Sequence, residues 1–246
     1  MSGVSDRTLF PQVEEDLETL SQAVRYREWL YGQIRGALGT RILEIGSGIG
    51  NYTEFLLRHG QVLATDMEAH YVSELRSRFR DQPRVHVEQL ALEAWDPAVL
   101  ARLCTFAPDT IVCLNVLEHV PDDGRAVRQM LDCLTTGGHL ALIVPAMPSL
   151  FCEIDRRYGH VRRYTRRGLE GLLATEASAC VVRCRYFNAF GVVGWWVNHV
   201  LLERTQLPTR QVVLFDRVVV PVVAAVERVV RPPFGLSLVA WVRKGG

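Results

Sequence analysis

The sequence predicts an α/β chain built on a doubly wound parallel sheet, and three observations carry that expectation. The apolar run Ile42-Leu-Glu-Ile45 leads directly into Gly46, Gly48 and Gly50. This is the pattern of a buried strand that ends in a turn almost free of side-chain bulk. Short apolar runs then alternate with segments of helical spacing as far as residue 145, the signature of β-α-β units. Finally, Glu44, Asp66 and Asn115 stand at or near the ends of successive runs, and such sheets bind ligands at the carboxyl ends of their strands.

Each element has a local reason. Val13, Leu17, Leu20, Val24, Tyr31, Ile34 and Leu38 recur at three/four spacing. They predict a helix or helix pair over 12–38, stopped by Gly39. Such a leading segment packs on the sheet or lids the ligand, with Tyr26 and Trp29 near the site. Asn51-Tyr-Thr-Glu54 reads as a capping box opening a helix over 52–59. Strand 61–66, helix 69–79, strand 84–90, helix 97–104 and strand 109–115 follow. Pro121-Asp-Asp-Gly124 starts a helix over 122–134, Thr136-Gly-Gly138 ends it, and strand 139–145 comes next. Helix 166–176, strand 180–187 and the final strand 236–242 complete the chain. Two stretches, 147–165 and 188–235, break the alternation. The whole reads as one domain, 1–246, with two insertions.

Composition narrows the function. A formal charge of +1 argues against nucleic acid as an obligate partner. Lys244 is the one lysine among 28 basic residues, a coding bias toward arginine. The six cysteines contain no C-x-x-C. Cys180 and Cys184 fall in one strand, about 13 Å apart, too far for a disulfide. Met1 to Phe10 is too polar for a signal peptide, so the expected location is the cytoplasm. Asp216, Arg217, Pro221, Glu227 and Arg228 interrupt the apolar run 212–230, so no transmembrane segment is expected there. That insertion is expected to cap the site or to form a homodimer interface through 188–230, with membrane-surface contact the lesser alternative.

The glycine loop points to the ligand. Its G-x-G-x-G spacing lacks the extra residue of a dinucleotide loop. The Glu44 carboxylate at the strand end suits a cofactor bearing positive charge better than a pyrophosphate. Asp66, twenty residues after Gly46, is placed to accept two ribose hydroxyls. This stretch resembles the S-adenosylmethionine (SAM) site of class I methyltransferases. The resemblance extends through Leu43-Glu-Ile-Gly-Ser-Gly48, Asn115-Val-Leu-Glu-His-Val120, Val144-Pro-Ala146, Gly159-His-Val-Arg-Arg-Tyr164 and Pro233-Phe-Gly-Leu-Ser237 to a bacterial group of these enzymes. It implies a Rossmann-like, seven-stranded sheet whose last strand is antiparallel and inserted beside the sixth. It implies SAM, leaving as S-adenosyl-L-homocysteine, held by Glu44, Gly46, Ser47, Gly48, Gly50, Asp66, Met67 and Asn115. The class commonly places an acid after the third strand to receive the adenine amino group. Leu90 and Ala91 stand there instead, so adenine is expected against the Ala91 backbone and apolar packing, with Glu93 a weaker candidate.

The insertion 147–165 follows the fifth strand on the ligand side and holds the candidate chemistry. His160 and Tyr164 lead as catalytic residues, with His119 behind them, because an imidazole can take a proton near neutral pH. In the alternative, Asp155, His160 and Arg163 merely brace the loop. Six arginines between Arg156 and Arg167 read as a solvated face, as partners of Glu153 and Asp155, or as an anion site. No metal ligands are expected. The expected reaction is methyl transfer to oxygen or nitrogen of a small-molecule acceptor. A macromolecular acceptor, RNA or protein, and SAM binding without catalysis are the alternatives.

Overall fold

The computed structural model describes residues 18–92, 95–201 and 209–246. One sheet contains β1 (Arg41–Ile45), β2 (Gln61–Asp66), β3 (Val85–Gln89), β4 (Thr110–Leu114), β5 (His139–Pro145), β6 (Ala179–Phe187) and β7 (Ser237–Lys244). Its order is β3-β2-β1-β4-β5-β7-β6. The first five strands pair in parallel, and β7 runs antiparallel to both β5 and β6. The antiparallel last strand beside the sixth is the arrangement that the sequence motifs imply. Chain order reverses at β1, which sits between β2 and β4, so a crevice opens beyond the carboxyl ends of those strands.

The central strands β1, β4 and β5 are largely apolar because both faces of the sheet are covered there. Leu43, Ile111 and Leu142 point to one side, against Leu103 of α4 (Pro97–Phe106), Met130 of α5 (Asp123–Cys133) and Leu169 of α7 (Arg166–Ala174). Their neighbours Ile42, Val112 and Ile143 point to the other. There they meet Leu30 of α1 (Val24–Ile34), Leu56 of α2 (Thr53–Leu56), Leu75 of α3 (Ala69–Arg78) and Val223 of α9 (Thr209–Val229). The short α6 (Glu153–Arg157) and α8 (Ala189–Trp195) lie in the two insertions. Several helix starts follow the sequence. The Asp96, Asp122 and Thr165 side chains each accept a bond from an amide of the first turn they precede, satisfying donors that have no partner within the helix.

Two local expectations are corrected. The helix expected over 52–59 is the single turn α2, and Asn51 and Glu54 form no capping box. Its N-cap is Tyr52, which offers no side-chain bond. The Thr53 hydroxyl donates to Glu44 instead, at 2.6 Å, and Glu54 pairs with Arg78, also at 2.6 Å. Tertiary partners have taken both groups. The leading helix expected over 12–38 is also divided: residues 18–22 are helical, α1 follows, and a 3₁₀ turn closes it at Arg35–Ala37. Residues 12–17 lie outside the described residues.

The insertion 188–235 is organised by α9. Pro221 lies inside this helix without ending it. Proline lacks the amide that the Arg217 carbonyl would receive, and the Arg25 guanidinium of α1 donates to that carbonyl at 3.3 Å. Both acids of α9 face inward onto helix starts. Asp216 accepts from the amides of Tyr26 (2.7 Å) and Arg25 (3.3 Å) in the first turn of α1. Glu227 accepts from Asn188 (2.9 Å) and Ala189 (2.8 Å) at the start of α8. Asp216 therefore supplies from another helix the cap that Ala23 cannot. Asp216→Ala should lower stability by about 1–3 kcal/mol in urea unfolding, and Asp216→Asn, which keeps an acceptor, should lose less.

Candidate active site

The loop after β1 is held from every side. Gly46, Gly48 and Gly50 all have positive φ, at 70°, 52° and 83°, a backbone region costly for residues with a Cβ. At Gly46 space is a second reason, since a Cβ would come within 2.3 Å of Val116. The Gly48 amide donates to Asp66 at 2.8 Å and the Ser47 amide to the Thr65 carbonyl at 2.9 Å. Arg78 donates to the Ile49 carbonyl and the buried Arg27 to that of Asn51. Protein groups thus bond the loop at Ser47, Gly48, Ile49 and Asn51.

Beyond the loop lies a cavity of about 640 Å³, within the range of small-molecule sites. Glu44, Gly46, Ser47, Gly48, Asp66, Met67, Leu90 and Asn115 line it, as expected of cofactor-binding residues. Gly50 and Ala91 do not. Gly50 instead packs on α3, where an added Cβ would meet the Phe79 ring at 2.6 Å. Leu90 and Leu92 form an apolar part of the wall, and Glu93 lies outside the described residues. Asn115 itself has φ 53°.

The cavity wall holds two buried carboxylates. Burial pushes the Glu44 carboxyl up to about 7, against the bond it accepts from Thr53. Burial also raises Asp66, although it accepts from the amides of Glu68 and Gly48. Among the described residues, no cation pairs with either carboxylate.

The same cavity is lined by an imidazole cluster. His160 and His119 both line it, with ring centroids 4.8 Å apart. Asp155, fully buried, accepts from His160 Nδ1 at 2.8 Å, from Arg163 Nε at 2.9 Å and from the Cys152 amide at 3.0 Å. Burial opposes ionisation of Asp155, but these donors and the Arg163 charge together hold it below the usual carboxylate range. With Nδ1–H given to Asp155, His160 keeps a lone pair on Nε2. Burial and the neighbouring His160 push His119 down to about 4.

Tyr164 is not brought to this cluster. Its backbone pairs with the end of β5, and its hydroxyl donates to Asp123 at 2.9 Å inside the fold. Burial and Asp123 push the phenol well above its ordinary range. The neighbouring arginines are paired: Arg156 and Arg157 with Glu153, Arg162 with Asp123, Arg163 with Asp155 and Arg166 with Glu170.

Comparison with known proteins agrees with this geometry. Residues 43–140 match the family model described as a methyltransferase domain. That match starts in β1 and ends in β5, and so contains the glycine loop, Asp66 and the Asn115–His119 rim. This region of the chain is similar to methyltransferase domains, and the chain has the fold of the class I methyltransferases. It is 28 % identical over 134 residues to the S-adenosyl-L-methionine-dependent Diels-Alderase iccD of Talaromyces variabilis, covering 54 % of this chain and 42 % of that protein. It is 32 % identical over 115 residues to the ubiquinone biosynthesis O-methyltransferase of Cupriavidus pinatubonensis, covering 46 % and 43 %. The chain spans about half the length of the curated relatives it matches. Among solved structures, N-methyltransferase NodS from Bradyrhizobium japonicum, in complex with S-adenosyl-L-homocysteine, superposes with a TM-score of 0.56. That superposition has 17 % identity and covers 90 % of this chain and 86 % of that one.

The cavity also contains groups that the sequence did not single out. Tyr52, Trp195 and Ser237 line it, brought from a loop, the second insertion and the antiparallel strand, and Arg163, read from the sequence as a loop brace, lines it too. Glu118 belongs with them. It is fully buried, and neither carboxylate oxygen has a hydrogen-bond partner on another residue. Glu118, His119 and His160 each offer a ligand atom within 4.8 Å of the others, so this set could hold a divalent cation. Burial is the main cause that pushes Glu118 up to about 8 from an ordinary 4.5; Arg163 offsets part of it and Asp155 adds to it. As pH rises from 4.5, the unfolded chain sheds this proton while the folded chain keeps it. Stability should therefore fall until Glu118 ionises in the fold near pH 8, with no further loss above that. Glu118→Gln should flatten the decline, as read from urea midpoints across that range.

Proposed function

We propose that this protein is a SAM-dependent methyltransferase acting on oxygen or nitrogen of a small-molecule acceptor. One observation carries the reading. Two desolvated carboxylates, Glu44 and Asp66, flank the glycine loop with no ion-paired cation among the described residues, and the same cavity is lined by an oriented imidazole. Buried anions of this kind favour a ligand that brings positive charge. The residues present fit SAM by their chemistry. Glu44 suits its ammonium group, Asp66 its ribose hydroxyls, and Leu90 with Leu92 an apolar base. The unpartnered Tyr52 hydroxyl adds a polar group to the same wall. The O- and N-methyltransferases among the similar proteins support small-molecule transfer.

When bound, SAM supplies a methyl already activated by the positive sulfur. The chain's own work is then to align a nucleophile and exclude water. His160 suits the base. Asp155 fixes its tautomer and orientation, leaving Nε2 on the cavity to take a proton from an acceptor hydroxyl. Arg163 holds Asp155 ionised while stacking over the Trp195 ring at 4.4 Å, so the base and the cavity wall are braced together. Glu118, protonated at neutral pH, can donate a hydrogen bond to an acceptor oxygen.

The assignment predicts two separable losses. Asp66→Ala should weaken SAM binding in calorimetry by about 1.5–3 kcal/mol, the scale of charge-assisted bonds. His160→Ala should leave that binding intact and slow single-turnover methyl transfer about 10²–10⁴-fold, with partial recovery on adding imidazole. The acceptor for this assay comes from a metabolite extract screened with labelled SAM for a methylated product. Binding of SAM without any labelled product would exclude methyl transfer to the compounds screened. Unchanged single-turnover rates in His160→Ala would remove the base.

A further inference from the structure

The outward face of α9 presents an apolar row. Leu214, Val218, Val222, Val226 and Val229 stand between 50 and 86 % exposed. Their spacing of three and four residues places them on one side of the helix, in a row roughly 22 Å long at 1.5 Å per residue. Single exposed valines are ordinary, but a continuous row marks a contact surface. The opposite face, with Val220, Val223 and Ala224, is packed in the core. The helix therefore carries apolar residues on its exposed side as well as on its packed side.

Charge identifies what covers the row. The acids of α9, Asp216 and Glu227, both face inward, where they cap α1 and α8. The charges left outside are basic: Arg217 and Arg228 are exposed, and so is Arg231 just beyond the helix. An apolar row flanked by arginines is complementary to anionic lipid headgroups over acyl chains. A second copy fits less well, because antiparallel pairing about Val222 brings Arg217 of one copy to within one residue of Arg228 of the other, the intervening Glu227 being turned inward. The row is also shorter than the ~30 Å hydrocarbon core, and no described helix is long and apolar enough to cross a membrane. Glu227 ties α8 to the same end of α9. There Trp195 lines the cavity, while Phe190, Val193 and the adjoining Trp196 are exposed.

We propose that α9 docks the protein, lying flat, on an anionic phospholipid surface. Leu214, Val218, Val222, Val226 and Val229 enter the interface, with Arg217 and Arg228 at the headgroups. The test is co-sedimentation of the full chain with phosphatidylglycerol vesicles and with phosphatidylcholine vesicles. Binding to phosphatidylglycerol should exceed that to phosphatidylcholine by about tenfold or more and fall with added salt. Val218→Glu with Val222→Glu should weaken it by about tenfold or more. Arg217→Gln and Arg228→Gln should each weaken it about fivefold. Thermal midpoints of these variants check that the fold survives substitution at exposed positions. Three results overturn the proposal: no sedimentation with phosphatidylglycerol vesicles, equal partitioning of folded variants and wild type, or a dimer in analytical ultracentrifugation that the Val218→Glu, Val222→Glu variant dissociates.

Discussion

The fold holds negative charge out of water at the ends of two adjacent strands, and the site depends on how that charge is restrained. Glu44 and Asp66 sit at the carboxyl ends of β1 and β2, and their only direct hydrogen-bond donors among the described residues are neutral. Those donors are also what shape the loop: the Gly48 amide cannot leave Asp66, nor Thr53 leave Glu44, without stranding a buried carboxylate. Arg27 and Arg78 reinforce the same loop from α1 and α3 through its carbonyls. They neutralise the backbone's partial charges and leave the two carboxylates for a ligand. The cost of burying these acids is thus retained as binding potential for a cation.

A second restrained anion organises another part of the cavity lining. Asp155 gathers His160, Arg163 and the Cys152 amide from one insertion, and the Val161 amide fastens that insertion to the Glu118 carbonyl at 2.9 Å. The loop-bracing and catalytic readings of His160 are therefore not exclusive. The bond that braces the loop also orients the imidazole, whose Nε2 lies 3.8 Å from Glu118 in the cavity lining. Fully buried Glu118 and His119 complete a rim whose two groups burial holds toward their neutral forms.

The sequence was legible where a residue's role follows from its neighbours in the chain. Strand–glycine–helix order located Glu44, Gly46, Gly48 and Asp66, because local periodicity and backbone freedom decide such features. It was not legible where a distant element supplies the partner. Asn51 and Glu54 read as a capping box until Glu44 and Arg78 claimed Thr53 and Glu54. His160 and Tyr164 looked equivalent, four residues apart, yet α6 ends at Arg157 and the chain then turns Tyr164 onto Asp123. Trp195 and Ser237 reach the cavity only through an insertion and an antiparallel strand. Pro221 read as a break in the apolar run, yet Arg25 takes over the carbonyl it leaves and the helix continues.

If buried, uncompensated carboxylate is the basis of the site, binding a cationic ligand must pull Glu44 toward its ionised form. The direct measurement is calorimetric titration with SAM just below pH 7, in two buffers of different ionisation enthalpy. Glu44 ionises at about 7 in the free fold, so a nearby positive charge should lower that value and release a proton to the buffer. The account predicts release by the wild-type protein that is lost in Glu44→Gln. SAM binding with equal affinity and equal proton exchange in both proteins would contradict it.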